Sequence, residues 1–463
     1  MNRNQVRARI GRLAQGPPVV SDDPERWVQA RRAWRYSPRV GRRQIDLLLR
    51  VRSAGDLPGM GRARLLAMGL PRDVVDQTLR RVHSISGWPI AWTATAQAYL
   101  GATRRADVAE DDPDTVWARS RAALAYHAAY WLAYDDEHVL RTLRAARSSL
   151  FARAAPLLLP STQLVYVPWR ASELPGYLRL PILSRDDGRP LPLVVILNGA
   201  TTAKEETILW SDAFVGHGFA VLALDQPGTG EATEIGPPSG EHDDLLDGVR
   251  DLTASDPRLD GGRIALIGFS LGGAQAVRIA ANDRRLLACV AVTPPYEPSA
   301  WLHAANPLML DQLAGHLGGP YVVMELAEGF ELPELMPRLR CPLLVLGAGR
   351  DLVVPPTESQ RLAAAAGDLG TLLWYPRGGH GLFDIVPTWT ADVAAWLGAI
   401  LDDQDSVSPL RLESTPVDSE SQQALERTVV AGLVETTSTV GAAQTAAPPE
   451  FEAASSVSAD HVG

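Results

Sequence analysis

Gly268-Phe269-Ser270-Leu271-Gly272 sets a serine between two glycines, behind the apolar run Arg263–Ile267 and ahead of the helical run Leu271–Ala281. A serine hydroxyl attacks a carbonyl carbon only when a base takes its proton and when it stands clear of the backbone. A tight strand-to-helix turn exposes it. Small residues two before and two after let neighbouring backbones pass closely, and the helix start turns its positive end toward a developing oxyanion. Ser270 therefore reads as a nucleophile. Its partners are expected downstream in the order acid, histidine. Asp351 ends Gly347-Ala348-Gly349-Arg350-Asp351 after the strand run Leu343–Leu346, and His380 stands in Pro376-Arg377-Gly378-Gly379-His380-Gly381 after Thr371–Tyr375. Both lie at carboxyl ends of strands, where open α/β sheets build their sites. His380 would take the Ser270 proton and return it to the leaving group, while Asp351 would hold the imidazole tautomer. Asp384 competes as the acid but follows the histidine too closely. The backbone N–H of Leu271 and that of Ala200, in the loop Asn198-Gly199-Ala200-Thr201-Thr202 after Leu191–Leu197, are the expected oxyanion donors.

These residues need a rigid sheet. Leu191–Leu197, Ala220–Leu224, Arg263–Ile267, Leu287–Val292, Leu343–Leu346 and Thr371–Tyr375 are continuous apolar runs separated by helical stretches, the pattern of strands buried on both faces in a mostly parallel sheet. Leu164–Pro168 and Tyr177–Leu183 alternate like a hairpin. Upstream, Arg72–Ile85, Pro89–Leu100, Asp114–Tyr134 and His138–Ala155 carry helical spacing. The expected plan is an arginine-rich helical lead-in over 1–60, a helical lid domain over 61–160 and a catalytic domain over 161–402. A cap insertion is expected near 299–340, and a disordered acidic tail over 403–463.

Composition removes several classes. The chain has 463 residues, 46% of them hydrophobic, and a net charge of −10. Ten acids and two arginines fall from Asp403 onward, so the rest is close to neutral. No basic stripe lies beside an aromatic platform, which argues against nucleic acid as a partner. No apolar run approaches the roughly 18–20 residues of a membrane helix, and no apolar signal stretch follows the basic N-terminus. A cytoplasmic protein, with no membrane partner, is expected. Cys289 and Cys341 lie in runs that read as buried strands, and no zinc-ligand spacing appears, so neither a metal nor an organic cofactor is expected. Of 44 basic residues one, Lys204, is lysine, which points to a specified contact, a salt bridge or loop anchor rather than catalysis.

Asn198-Gly199-Ala200-Thr201-Thr202-Ala203-Lys204-Glu205-Glu206 resembles the "GG-x-x-S/T-x-KEE" segment of the FrsA-like esterase group, and Asp225-Gln226-Pro227-Gly228-Thr229-Gly230-Glu231 resembles its "D-x-PG-x-GE" turn. The group includes 2,6-dihydroxypseudooxynicotine hydrolase and fungal enzymes that shorten polyketide pigment precursors. The likeness covers about residues 60–400 and is patchy before 160. It implies an α/β-hydrolase fold, a mostly parallel sheet with helices on both faces, preceded by an N-terminal helical lid domain. Asn198 departs from the group's first glycine. C–C-cleaving members also use an additional acid after the sixth strand. Glu297, in Pro294-Pro295-Tyr296-Glu297-Pro298, is the candidate here, and a solvent-exposed loop glutamate is the alternative.

The function expected is hydrolysis at a carbonyl through an acyl-serine. The substrate would be an ester or a β-diketone-type ketone, an aromatic or polyketide-like small molecule. Tyr126, His127, Tyr130, Trp131, Trp210, Tyr296 and Trp301 are candidates to line its pocket, with core packing the competing role for each. An acyltransferase working through the same acyl-enzyme, a non-catalytic binding protein on this fold, and a homodimer all remain open.

Overall fold

The computed structural model describes residues 38–405, apart from 51, 58, 104–108, 110, 159, 182–188 and 306. Residues 1–37 of the lead-in and the tail from 406 onward lie outside the described residues. Among the described residues six α-helices come first: α1 (Pro38–Leu49), α2 (Arg62–Ala67), α3 (Arg72–Arg80), α4 (Gly87–Ala102), α5 (Pro113–Tyr130) and α6 (Glu137–Ala154). Their starts follow from capping chemistry. Asp112 accepts from Thr115 N ahead of Pro113, and Asp136 accepts from His138 N and Val139 N. Ala122 to Tyr130 is buried at every position, so α5 runs through the middle of the cluster, where alanine lets neighbours come close. Trp88, Trp92 and Trp131 fill the space beside it, with Trp88 stacked 6.2 Å from Trp131 and donating Nε1–H to Ala128 O at 2.7 Å. The helix expected to reach Ile85 stops at Arg80: Arg81 N and Val82 N tighten to Thr78 O and Leu79 O at 3.0 and 3.2 Å, and Ile85 N donates instead to Asp46 Oδ1 at 2.7 Å.

The sheet follows: β1 (Thr162–Trp169), β2 (Ser172–Arg179), β3 (Leu191–Leu197), β4 (Ala220–Leu224), β5 (Leu259–Phe269), β6 (Ala288–Val292), β7 (Leu343–Ala348) and β8 (Gly370–Tyr375). Their order is β1-β2-β4-β3-β5-β6-β7-β8. β1 and β2 pair antiparallel with each other and β2 with β4; every other pairing is parallel. β2 begins five residues before its expected start. Trp169 pairs with Ser172 across a two-residue turn, with Arg170 at φ 54°, and Pro175 within the strand weakens its sequence signal. Each central strand is buried on both faces. Leu193, Val195 and Leu197 point into one core layer, and Val194 and Ile196 into the other.

The connecting helices are α7 (Lys204–Thr207), α8 (Asp212–Gly216), α9 (Leu245–Ser255), α10 (Leu271–Asn282), α11 (Pro298–Trp301), α12 (Pro307–Leu317), α13 (Pro320–Gly329), α14 (Pro356–Ala365) and α15 (Val386–Asp405). α11 to α13 form the insertion between β6 and β7. Polar contacts fasten it to the first helices. Asp311 accepts from Arg42 Nε at 2.6 Å and from the Tyr134 hydroxyl at 2.7 Å. Gln312 Nε2 and His316 Nε2 both donate to Trp131 O, at 3.0 and 3.1 Å. Cys289 and Cys341 are buried free thiols. No described helix is long and apolar enough to cross a membrane.

Candidate active site

Ser270 joins β5 to α10 at φ 51°, ψ −116°, a conformation that side-chain-bearing residues rarely adopt. The turn is tight enough to require its glycines. A Cβ on Gly268 would meet Gly272 O at 2.0 Å, and one on Gly272 would meet Asn198 O at 2.2 Å. The second of these contacts also brings the loop after β3 against the nucleophile turn. Ser270, Leu271, Gly199, Ala200 and His380 line one cavity.

His380 Nδ1 donates to Asp351 Oδ2 at 2.8 Å, which leaves Nε2 as the acceptor nitrogen. The other oxygen, Asp351 Oδ1, accepts from Val353 N and Val354 N at 2.8 and 2.9 Å, so the carboxylate cannot swing away from the ring. Gly349 N donates to Tyr375 O and Arg350 N to Gly378 O, both at 2.9 Å, which ties the acid loop to the histidine loop. Asp384, the competing acid, accepts from Gly379 N instead.

The cavity holds about 130 Å³. Its wall comes mainly from the insertion, through residues such as Trp301, Leu302, Met309, Leu313, Leu317 and Phe330; Met60 and Arg64 add an edge from the first helices. No carboxylate is among the described residues that line it. Trp301 is the one pocket candidate of the sequence that reaches it.

The other candidates are placed elsewhere. Tyr126, His127 and Tyr130 sit inside the helical cluster: α5 turns them toward its neighbours, with His127 Nε2 donating to Glu206 Oε2 at 2.9 Å and Tyr130 stacked 4.6 Å from His316. Trp131 is fully buried beneath Arg64. Trp210 packs between Phe269 and Phe383 and donates Nε1–H to Ala67 O at 3.1 Å. Tyr296 is buried outside the cavity lining. Glu297 is turned outward into an ion pair with Arg361 and is not among the residues that line the cavity. The reason is Glu358, which the sequence reading missed. Its buried Oε2 accepts from Tyr296 N, Glu297 N and Trp301 Nε1 at 2.9, 2.7 and 2.9 Å, fixing the loop after β6 by its backbone and sending the Glu297 side chain away.

Lys204 is fully buried. It donates to Glu205 Oε1 at 2.7 Å, to Asp225 Oδ2 at 3.2 Å and to Glu231. Burial alone would lower its pKa; the carboxylates of Asp225, Glu205 and Glu231 outweigh that and leave it raised, so the amine stays charged. It anchors a loop, as its isolation in the sequence suggested. Arg64 was also missed. Its partner Glu206 stands 142 residues away in the chain and is buried only once the fold has formed.

Residues 194–396 match the family model described as the alpha/beta hydrolase family. Among curated proteins, a 2,6-dihydropseudooxynicotine hydrolase from Paenarthrobacter nicotinovorans is 23% identical over 333 residues, 70% of this chain and 87% of that one. Hydrolase LUC6 from a Fusarium species is 27% identical over 318 residues, 59% of this chain and 75% of that one. Among solved structures, the 2,6-dihydroxy-pseudo-oxynicotine hydrolase superposes with a TM-score of 0.65 at 22% identity, covering 77% of this chain and 99% of that one. The resemblance noted in the sequence is borne out, and the fold is shared along most of the described chain.

Proposed function

We propose that this chain, a hydrolase whose residues 194–396 match the alpha/beta hydrolase family model, cleaves a carboxylic ester with an aliphatic arm through an acyl-Ser270 intermediate. The observation that carries this reading is the strained Ser270 turn opening into the same cavity as a histidine already hydrogen-bonded to a fixed aspartate.

Ser270 Oγ attacks the carbonyl carbon while His380 Nε2 takes its proton. The carbonyl electron pair moves onto oxygen, where the N–H groups of Ala200 and Leu271 receive it. Collapse expels the alkoxide, which leaves with the proton from His380. Water then repeats the sequence on the acyl-serine and frees the acid. Asp351 holds the ring and stabilises its imidazolium form.

Ester cleavage is favoured over C–C cleavage because protonating a departing carbanion on carbon favours an acid in addition to His380, and no carboxylic acid is among the described residues that line the cavity. The apolar wall from the insertion, in which Leu302, Met309, Leu313 and Leu317 outnumber Trp301 and Phe330, favours an alkyl or branched acyl substituent over the flat aromatic substrate expected from the sequence. The substrate is thus a small, largely apolar molecule. A fluorophosphonate should label the wild type and not Ser270→Ala. That variant should lose p-nitrophenyl ester hydrolysis by about 10⁴-fold or more with its melting temperature retained. Labelling and turnover that survive the substitution would end this reading.

A further inference from the structure

Arg64 is 3% exposed and lies at the edge of the cavity. Its Nε and Nη2 donate to the two oxygens of Glu206, each at 2.7 Å. Nη2 also reaches Thr201 O at 2.9 Å, while Nη1 reaches Thr201 Oγ1 at 3.1 Å and Gly59 O at 3.3 Å. A guanidinium has five N–H groups, and these five contacts use all of them. None is left to grip a substrate. The group is also held between rings, with its carbon 4.1 Å from the Trp131 centroid and 5.2 Å from that of Phe383. Its charge is matched by Glu206, whose carboxyl burial would raise but which Arg64 and His127 hold low. What remains for Arg64 to supply is direction.

The direction is that of the loop after β3. Its start is fixed from below: Gln226 Nε2 donates to Asn198 O at 2.9 Å, and Asn198 Nδ2 to Asp225 Oδ1 at 2.7 Å. Its end is fixed where Lys204 N donates to Asp225 Oδ1 at 2.8 Å. Between these points Thr202 N closes the loop on Gly199 O at 3.2 Å, and Arg64 reaches its middle at Thr201 from another part of the molecule.

We propose that Arg64 is a positioning residue for the oxyanion loop: by holding Thr201 it aims the neighbouring Ala200 N–H, making the helical cluster part of the hydrolytic machinery. This rests on the reading of Ser270 as nucleophile and Ala200 as oxyanion donor. A misplacement of about 1 Å in such a donor costs on the order of 10²-fold in rate.

Arg64→Lys keeps a cation opposite Glu206, but a single ammonium cannot span Glu206 and Thr201 together. We expect kcat to fall about 10- to 100-fold with KM changed by less than roughly threefold, the split of an interaction used in the transition state. Rates are counted per site titrated to completion with fluorophosphonate, which removes any misfolded fraction. A trifluoromethyl ketone, whose serine adduct places an oxyanion in the hole, should bind more weakly in proportion to the loss in kcat/KM. An arginine with only a structural role would lower the melting temperature and the titratable fraction but leave kcat per site and ketone affinity intact; that result overturns the proposal. Thr201→Val removes a single acceptor and should lower kcat by about 2- to 10-fold, less than multiplicatively with Arg64→Lys. Should Arg64→Lys fail to fold, Thr201→Val decides alone, and unchanged kcat overturns the proposal. Turnover by Ser270→Ala would instead end the parent reading; normal turnover in Arg64→Lys beside an inactive Ser270→Ala would overturn this proposal alone.

Discussion

Two helical regions flank the catalytic sheet, and they differ in where they put their apolar side chains. The cluster of α1 to α6 turns them inward around α5, with Trp88, Trp92 and Trp131 fully buried, and meets the rest of the chain through a buried polar network around Glu206. The insertion of α11 to α13 has a much smaller core of its own, around Trp301, Met309 and Val323, and spends most of its apolar side chains on the cavity wall. A region that closes on its own core can brace a site but has little left to contact a ligand. A region with a thin core can shape a pocket but needs to be held, and α12 is held by Asp311, Gln312 and His316.

The contrast can be broken most sharply in the cluster. Trp88→Ala should cost about 3–5 kcal/mol of stability, since it empties a fully buried site, while kcat per titrated site stays near the wild-type value. Chemical denaturation and active-site titration check both halves. Selective loss of long-chain ester turnover in that variant would mean that the cluster also shapes the pocket.

In the insertion the effect should fall on selectivity. Leu313→Ala should reduce kcat/KM for a p-nitrophenyl octanoate about 10-fold relative to the acetate, a discrimination of about 1–2 kcal/mol, with a smaller change in stability than in Trp88→Ala. Equal effects on both esters would assign Leu313 to packing.

The seam between the regions titrates. Burial, with a smaller push from the Arg144 charge, lowers the His316 pKa to about 4, against the hydrogen bond that its protonated ring would strengthen to Trp131 O. A histidine with a depressed folded-state value takes up a proton on unfolding. Its stabilisation is therefore complete above pH 6.5 and is lost as the pH falls toward 4. Buried His127 is lowered too and acts in the same direction. The melting temperature should drop through this window, and less steeply in His316→Gln, which keeps an N–H for Trp131 O. An unchanged slope would remove His316 from the seam.

What could be read beforehand follows the range of the interactions. Ser270, Asp351 and His380 stand at strand ends marked by apolar runs and glycines, so local pattern located them. The parallel sheet was legible for the same reason, and Lys204 announced itself by being alone. The pocket wall was not legible. Tyr126, Tyr130 and Trp210 are aromatic and near the site in sequence logic, but whether a helix turns a side chain toward a core or a cavity depends on which neighbours cover it. Which of its two readings Glu297 takes could not be read locally, because a glutamate 61 residues later, Glu358, captures its backbone N–H and fixes the loop. Arg64 is 142 residues from Glu206, and nothing near either residue names the other.

The burial of Lys204 also decides how this protein meets amine chemistry. It is the chain's one lysine, its side chain has no exposure, and three carboxylates surround its ammonium. The folded surface therefore offers acylating reagents, aldehydes and lysine-directed cross-linkers no side-chain amine. A Lys204 adduct can form only after the loops that carry Asp225 and Glu231 have parted. Slow labelling at this one position, followed by mass spectrometry, would thus act as a built-in clock for opening beneath the loop after β3.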